Sequence, residues 1–429
     1  MSSKYLNIQP NNVPASGLVS FKNGQPIITF TLGRQDGLLD LSSIRMSGSF
    51  NAYFDSARNR PTNVNNGQTL TASQKLGVYG IMESLTFRHA ETKQVAESIR
   101  HYGRFLSSYL PTLASEQDQL GHLSENALIL PSQQAFQNSV IRATADNSFC
   151  VPLPCGMTLG ASQLPLDKFP IEIEIQLCSD SQFFFSTDGQ PTNITDAMYE
   201  LSNVELTCEV HTPEESSSAD SGMFSFNSIT SYFSTLESTN STINFNLALS
   251  KVLSAFVNFV PAASVNNITQ DGYLTYMPSL ANGSLANLDT IQFLKNGERT
   301  PYQFETQTNY NNDNQTVAVD PVVIKEFLSA IVPPSDHNRT SISPANSNRN
   351  FTVDAAANTG AINIPNGGAN WGVGCLYDQL DSEGEDFRNS QFTIQMTNGL
   401  TDGNPVSAYL FLKHKTTLAF NRTGVQVVN

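Results

Sequence analysis

Positive charge is scarce in this 429-residue chain. Lys and Arg number 23 against 38 Asp and Glu, a formal net charge of −15, and only 14% of residues are charged at all. Phosphate backbones are held by basic footprints, so no direct sequence-specific nucleic-acid binding is expected. Cysteine is sparse as well. Cys150, Cys155, Cys178, Cys208 and Cys375 form an odd set without CxxC spacing. That excludes a dense disulfide framework, and the close pair Cys150 and Cys155 reads as two reduced thiols. Long apolar runs are missing too. The best candidate, Phe245 to Val260, is broken by Asn246, Lys251 and Asn258, short of the roughly 18 residues a spanning helix needs. The opening Met1-Ser2-Ser3-Lys4-Tyr5 offers no apolar leader core. The chain is therefore expected to be made inside the cell. Its eight Asn-x-Ser/Thr sequons, among them Asn193, Asn240, Asn338 and Asn421, are read as unmodified.

Motifs that carry chemistry are also lacking. His89, His101, His122, His211, His337 and His414 stand apart in sequence, with no HxH, no HExxH and no Cys at zinc spacing. There is no GxSxG elbow, phosphate-binding loop or GxGxxG. No enzyme activity and no cofactor are expected, although two converging carboxylates, all that glycoside hydrolysis requires, leave no sequence signature. One acidic cluster, Asp378, Asp381, Glu383, Glu385 and Asp386 around Gly384, is a weak Ca²⁺ candidate. Its spacing departs from an EF-hand loop, and a solvated loop is the plainer reading. Trp371, the sole tryptophan, lies beside Gly367, Gly368, Gly372 and Gly374. It reads as core or subunit contact before it reads as a sugar platform.

What the chain has instead is neutral polarity, with Asn near a tenth of all residues, roughly twice ordinary usage. Hydrophobic residues at 39%, with 26 Phe, supply cores for two domains. The dominant pattern is period two. Ile171-Glu172-Ile173-Glu174-Ile175-Gln176-Leu177 alternates without a fault, as a strand with one buried face must. The same phase runs through Ile28, Phe30 and Leu32; through Ile44, Met46, Phe50, Ala52 and Phe54; and through Val204, Leu206, Cys208 and Val210. It returns in Ile243, Phe245, Leu247 and Leu249, and in Phe392, Ile394 and Met396. One-sided strands belong to antiparallel sheets. The fold class is all-β.

Two helices are predicted as insertions. Val95, Ile99, Tyr102, Leu106 and Tyr109 share a helical face, with Thr92 as N-cap and Pro111 as stop. The second starts at Asp320-Pro321 and runs to about Val332. Asn-Gly pairs at Asn23, Asn66, Asn296 and Asn398 mark turns. The polar, acidic stretch His211 to Gly222 reads as a linker. The division expected is an N-terminal arm over 1–17, a jelly roll over 18–211, a linker over 212–232 and a second jelly roll over 233–429. The terminal arms, Met1 to Ser16 and Thr423 to Asn429, are candidates for lying on neighbouring subunits.

Several segments, in order, resemble double jelly-roll major capsid proteins of the polinton-like virus and virophage group, part of the adenovirus-hexon-type lineage. They are Gly24-Gln25-Pro26-Ile27-Ile28-Thr29-Phe30, Gly80 to Phe87, and the Glu97-x-Ile99-x-x-Tyr102 stretch. Leu164-Pro165-Leu166 leading into Ile171 to Leu177, and Leu201 to Leu206, look like the closing strands of a first jelly roll. In the second half the resemblance rests on Val252 to Val260, on Gln292-Phe293 through Asn296-Gly297 to Pro301, and on Tyr409 to Phe420 followed by Thr423-Gly424-Val425. The chain departs from the family in a slightly short length and a degenerate second helical region. The resemblance implies a homotrimer of pseudo-hexagonal outline that tiles an icosahedral shell around double-stranded DNA. Its partners would be neighbouring capsomers, penton or vertex and minor capsid proteins, and an internal lipid membrane. Its place would be the virion, after assembly in the host cytoplasm or a viral factory. The other classes in view are a vertex or spike β-sandwich binding a receptor or carbohydrate, and a carboxylate-based hydrolase.

Overall fold

Alternation of apolar and polar residues commits more than half of the described residues to strands, and every strand pair among them in the computed structural model is antiparallel. The structure describes residues 2–59 except 15, 70–113 except 71 and 74, 126–128, 147–185 except 161 and 162, 196–212, 222–236, 241–275 except 269 and 270, 290–305, 321–333, 372–377, 384–397, 405–421 and 424–428.

The first lobe has two sheets. One holds β1 (Ser2–Ile8), β2 (Leu18–Val19), β4 (Leu38–Tyr53), β7 (Asn147–Pro152), β8 (Gln163–Pro165) and β10 (Met198–Thr212), with the spatial order β1-β10-β4-β7. The other has the order β3-β9-β5-β6, from β3 (Ile27–Leu32), β5 (Met82–His89), β6 (Val95–Arg100) and β9 (Ile171–Leu177). In the second lobe, β11 (Gly222–Leu236), β18 (Val406–Asn421), β13 (Val252–Pro261) and β16 (Gly372–Leu376) lie side by side in that order, and β19 (Gly424–Val428) pairs with β18. Opposite them run β12 (Ser241–Leu247), β17 (Ser390–Thr397), β14 (Thr290–Lys295) and β15 (Glu298–Glu305).

The two lobes are topological copies. Counting β1 or β2 as the first of eight principal strands and omitting β8, the first lobe reads 1-8-3-6 over 2-7-4-5, and so does the second. That order is a jelly roll. Each lobe also inserts a helix between its fifth and sixth strands: α1 (Tyr102–Leu113) and α2 (Pro321–Ile331). The duplication, silent in sequence, is plain in the strand order.

Particular residues fix the register. In β9, Ile173 is 1% exposed and lies between Phe30 of β3 and Phe87 of β5. On the other face Arg88 pairs with Glu172 and Glu174, and Lys93 reaches Glu172 at 2.6 Å. The β14–β15 hairpin closes through Asn296 (φ 52°) and Gly297 (φ 87°), a two-residue loop with both residues left-handed, as the Asn-Gly pair predicts.

Several boundaries differ from the sequence reading. The helix expected from Val95 begins only at Tyr102. Val95 to Arg100 is a strand paired with β5, and the left-handed His101 (φ 54°) separates the two. Pro111 lies inside the last turn of α1 and does not end it. The linker expected over 212–232 is shorter, because 222–232 belongs to β11, where Phe224, Phe226 and Ile229 are buried along the whole length of β18. The N-terminal arm is a strand of its own lobe over Ser2–Ile8, with Leu6 across from Cys208 and Ile8 across from Leu206. At the other end Gly424–Val428 folds back on β18. By contrast, α2 starts at Pro321 as predicted. All five cysteines are free, four of them buried and Cys150 exposed.

Candidate functional site: the joint between the lobes

Charged groups seldom enter a core unless paired. Here several do, and they gather where the two lobes meet. Glu97 of β6 is 2% exposed. Its carboxylate accepts the backbone N–H of Gly156 at 3.0 Å and of Met157 at 2.9 Å, in the one-turn helix Gly156–Leu159 of its own lobe. From the second lobe it accepts the N–H of Ile229 at 2.8 Å and the Ser228 hydroxyl at 3.3 Å. Burial pushes the Glu97 carboxyl up, against the lowering effect of these donors. Gly156 is required by space. A Cβ there would press on the Asn227 carbonyl and lie 2.6 Å from Glu97 Oε1 and 2.7 Å from Ser228 Cα.

A second polar group forms around α1. Arg104, also 2% exposed, donates to the Gly272 carbonyl and lies over the rings of Tyr273 (4.6 Å) and Tyr409 (5.1 Å). Asn258 of β13 donates to the Arg104 carbonyl at 3.2 Å and accepts the Ser108 hydroxyl at 2.8 Å. Tyr273 donates to the Gly80 carbonyl at 2.8 Å. Asp271 accepts from Ser73 at 2.7 Å, and Lys75 reaches Thr275 at 3.4 Å. Burial raises the Asp271 carboxyl and lowers the Lys75 ammonium to about 7. Between these groups Phe105 of α1 meets Phe256 and Phe411 of the second lobe, at 6.3 and 5.8 Å between ring centres. Apolar faces alone would allow the lobes to slide. Directional bonds from buried charges specify one orientation, and each donor or acceptor left unpaired is costly.

The residues singled out in sequence lie elsewhere. Glu385 pairs with Lys295, and Asp386 with Arg388 at 2.6 Å, which holds the Asp386 carboxyl down at about 2. Asp378, Asp381, Glu383, Trp371, Gly367 and Gly368 lie outside the described residues. Gly372 and Gly374 pack against Phe327 and Ala330 of α2, with no room for a Cβ. Sequence reasoning used Glu97 only within the family resemblance and passed over Arg104, Lys75 and Asp271. The available signal was an acid and an arginine set among Ala96, Ile99, Tyr102, Phe105 and Leu106, which reads as the wet side of a helix when the strand is missed.

No family model matches the sequence, and no curated protein matches it. Solved structures do. PBCV-1 VP54, fitted into a cryo-EM reconstruction of the virophage Sputnik, aligns over 100% of this chain and 96% of its own at TM-score 0.56 and 11% identity. The fold is that of the double jelly-roll viral capsid proteins. A Faustovirus major capsid protein (98% and 90% covered, TM-score 0.55, 10% identity) and the mavirus major capsid protein (99% and 90%, TM-score 0.52, 9% identity) align equally end to end. At such low identity the fold is shared while most side chains differ.

Proposed function

We propose that this chain is a structural major capsid protein that assembles into trimeric, pseudo-hexameric capsomers of an icosahedral double-stranded DNA virus. The observation that carries the reading is the paired topology: two lobes of identical strand order held in one orientation by the Glu97 and Arg104 networks. Three such chains present six similar lobes around a three-fold axis, so one gene product can meet six neighbours. The acidic balance suits a shell wall that leaves DNA to other components. Assembly with neighbouring subunits follows from this role, and penton, minor capsid and membrane partners are part of the same reading. So is a non-enzymatic role with residence in the virion after assembly in the host cytoplasm or a viral factory. Negative-stain electron microscopy of the purified chain tests it. Three-fold particles of hexagonal outline are expected; isolated two-lobed particles at every concentration would overturn it.

A further inference from the structure

Outside the joint, on the outer face of the first lobe, three metal-ligating groups converge. Asp40 of β4 stands directly across from Glu209 of β10, and His211 follows two residues along on the same face. One ligand atom from each lies within 4.8 Å of the others, with His211 Nδ1 3.9 Å from Glu209 Oε1. All three side chains are partly buried. Like charges directly opposed on a sheet repel, and among the described residues neither carboxylate has a Lys or Arg partner. Asp40 Oδ1 is held by the backbone N–H and hydroxyl of Ser42 at 2.9 and 2.6 Å. The carboxylate is therefore oriented, and its other oxygen is the one available to a cation. Next to it, β4 bulges out of register with β10, and the Ser43 hydroxyl accepts the Glu209 N–H at 2.7 Å.

We propose that Asp40, Glu209 and His211 form a structural binding site for a divalent transition metal of the Zn²⁺ type. Two carboxylates and one imidazole suit a borderline ion, whereas Ca²⁺ prefers six to eight oxygens. Tetrahedral metal–ligand bonds of about 2.1 Å place ligand atoms about 3.4 Å apart, so atoms that already lie within 4.8 Å of one another have only a short distance to close. Three protein ligands leave a fourth position for water. Cross-strand and i, i+2 placement on a rigid sheet supplies the preorganisation. The ion would replace repulsion between the opposed carboxylates with a clamp across β4 and β10. It would sit one residue before Thr212, where the chain leaves the first lobe. The inference does not rest on the capsid reading.

The test is calorimetric titration of Zn²⁺ into the chelator-stripped full chain. One Zn²⁺ per chain is expected, with affinity falling at least tenfold in both Asp40→Asn and His211→Ala. Absence of binding, or affinity unchanged in both variants, would overturn it. A measurement on the unaltered chain guards against variants that misfold. Carbethoxylation of His211, read by peptide mass, should slow at least tenfold with Zn²⁺ and not with Ca²⁺, while His101 reacts at a constant rate. Equal His211 rates with and without Zn²⁺ would contradict the site.

Discussion

Glu97 accepts the backbone N–H of Ile229 at 2.8 Å across 132 residues of sequence. The bond joins the edge strand of one jelly roll to the first strand of the next, so the carboxylate is shared by two lobes that each have their own core. Replacing Glu97 with Ala leaves the N–H groups of Gly156, Met157 and Ile229 buried without an acceptor. A loss of about 3 kcal/mol in urea unfolding is expected. A change within about 0.5 kcal/mol, the scale of an ordinary surface substitution, would show that the joint does not depend on this group.

Lys75 gives the joint a pH signature. Its ammonium is 4% exposed, and desolvation lowers it from 10.5 to about 7. Between those values the unfolded chain holds a proton that the folded chain has released, so this group's contribution to stability rises with pH from about 7. Cys178 and Cys375 act in the opposite sense at higher pH, since burial raises both thiols. The comparison is therefore between wild type and Lys75→Met over pH 6.5 to 8.5. The variant's stability relative to wild type should fall as pH rises. A pH-independent difference would mean that Lys75 keeps an ordinary ammonium.

Thiol reactivity follows burial. Cys150 alternates outward on β7, whereas Cys155, Cys178, Cys208 and Cys375 are buried. Burial also lifts the Cys208 thiol to about 11 and that of Cys375 to about 12, away from the reactive thiolate. A chromogenic disulfide reagent should titrate one thiol per native chain quickly and the other four only in denaturant. Two or more fast thiols would contradict the packing.

Ile173→Asp places a carboxylate between Phe30 and Phe87. The cost should be roughly 4 kcal/mol or more, from lost apolar burial together with charge desolvation. Soluble, folded protein at wild-type yield would show that the phase of β9 is wrong.

Much of this architecture was legible where one face of a strand is dry and the other wet. Ile171 to Leu177, the Asn296-Gly297 hairpin and the Pro321 helix start needed no tertiary information. The Val95 boundary failed for a physical reason. Val95 and Ile99 are four apart, a spacing that helix and strand share, and Val95 is 44% exposed, so it belonged to neither apolar face. The linker's end is obscured because Ser225 and Asn227, exposed on β11, resemble loop residues. The joint was hidden more deeply. Glu97 and Arg104 are unremarkable until two lobes are placed together, and one-dimensional periodicity carries no information about that placement.

In the proposed role, three of these paired jelly rolls form one capsomer. The most direct measurement is the solution mass of the purified chain by light scattering on a sizing column. A stable species at three times the 46.8 kDa chain mass is expected. A strict 46.8 kDa monomer at high concentration would contradict it.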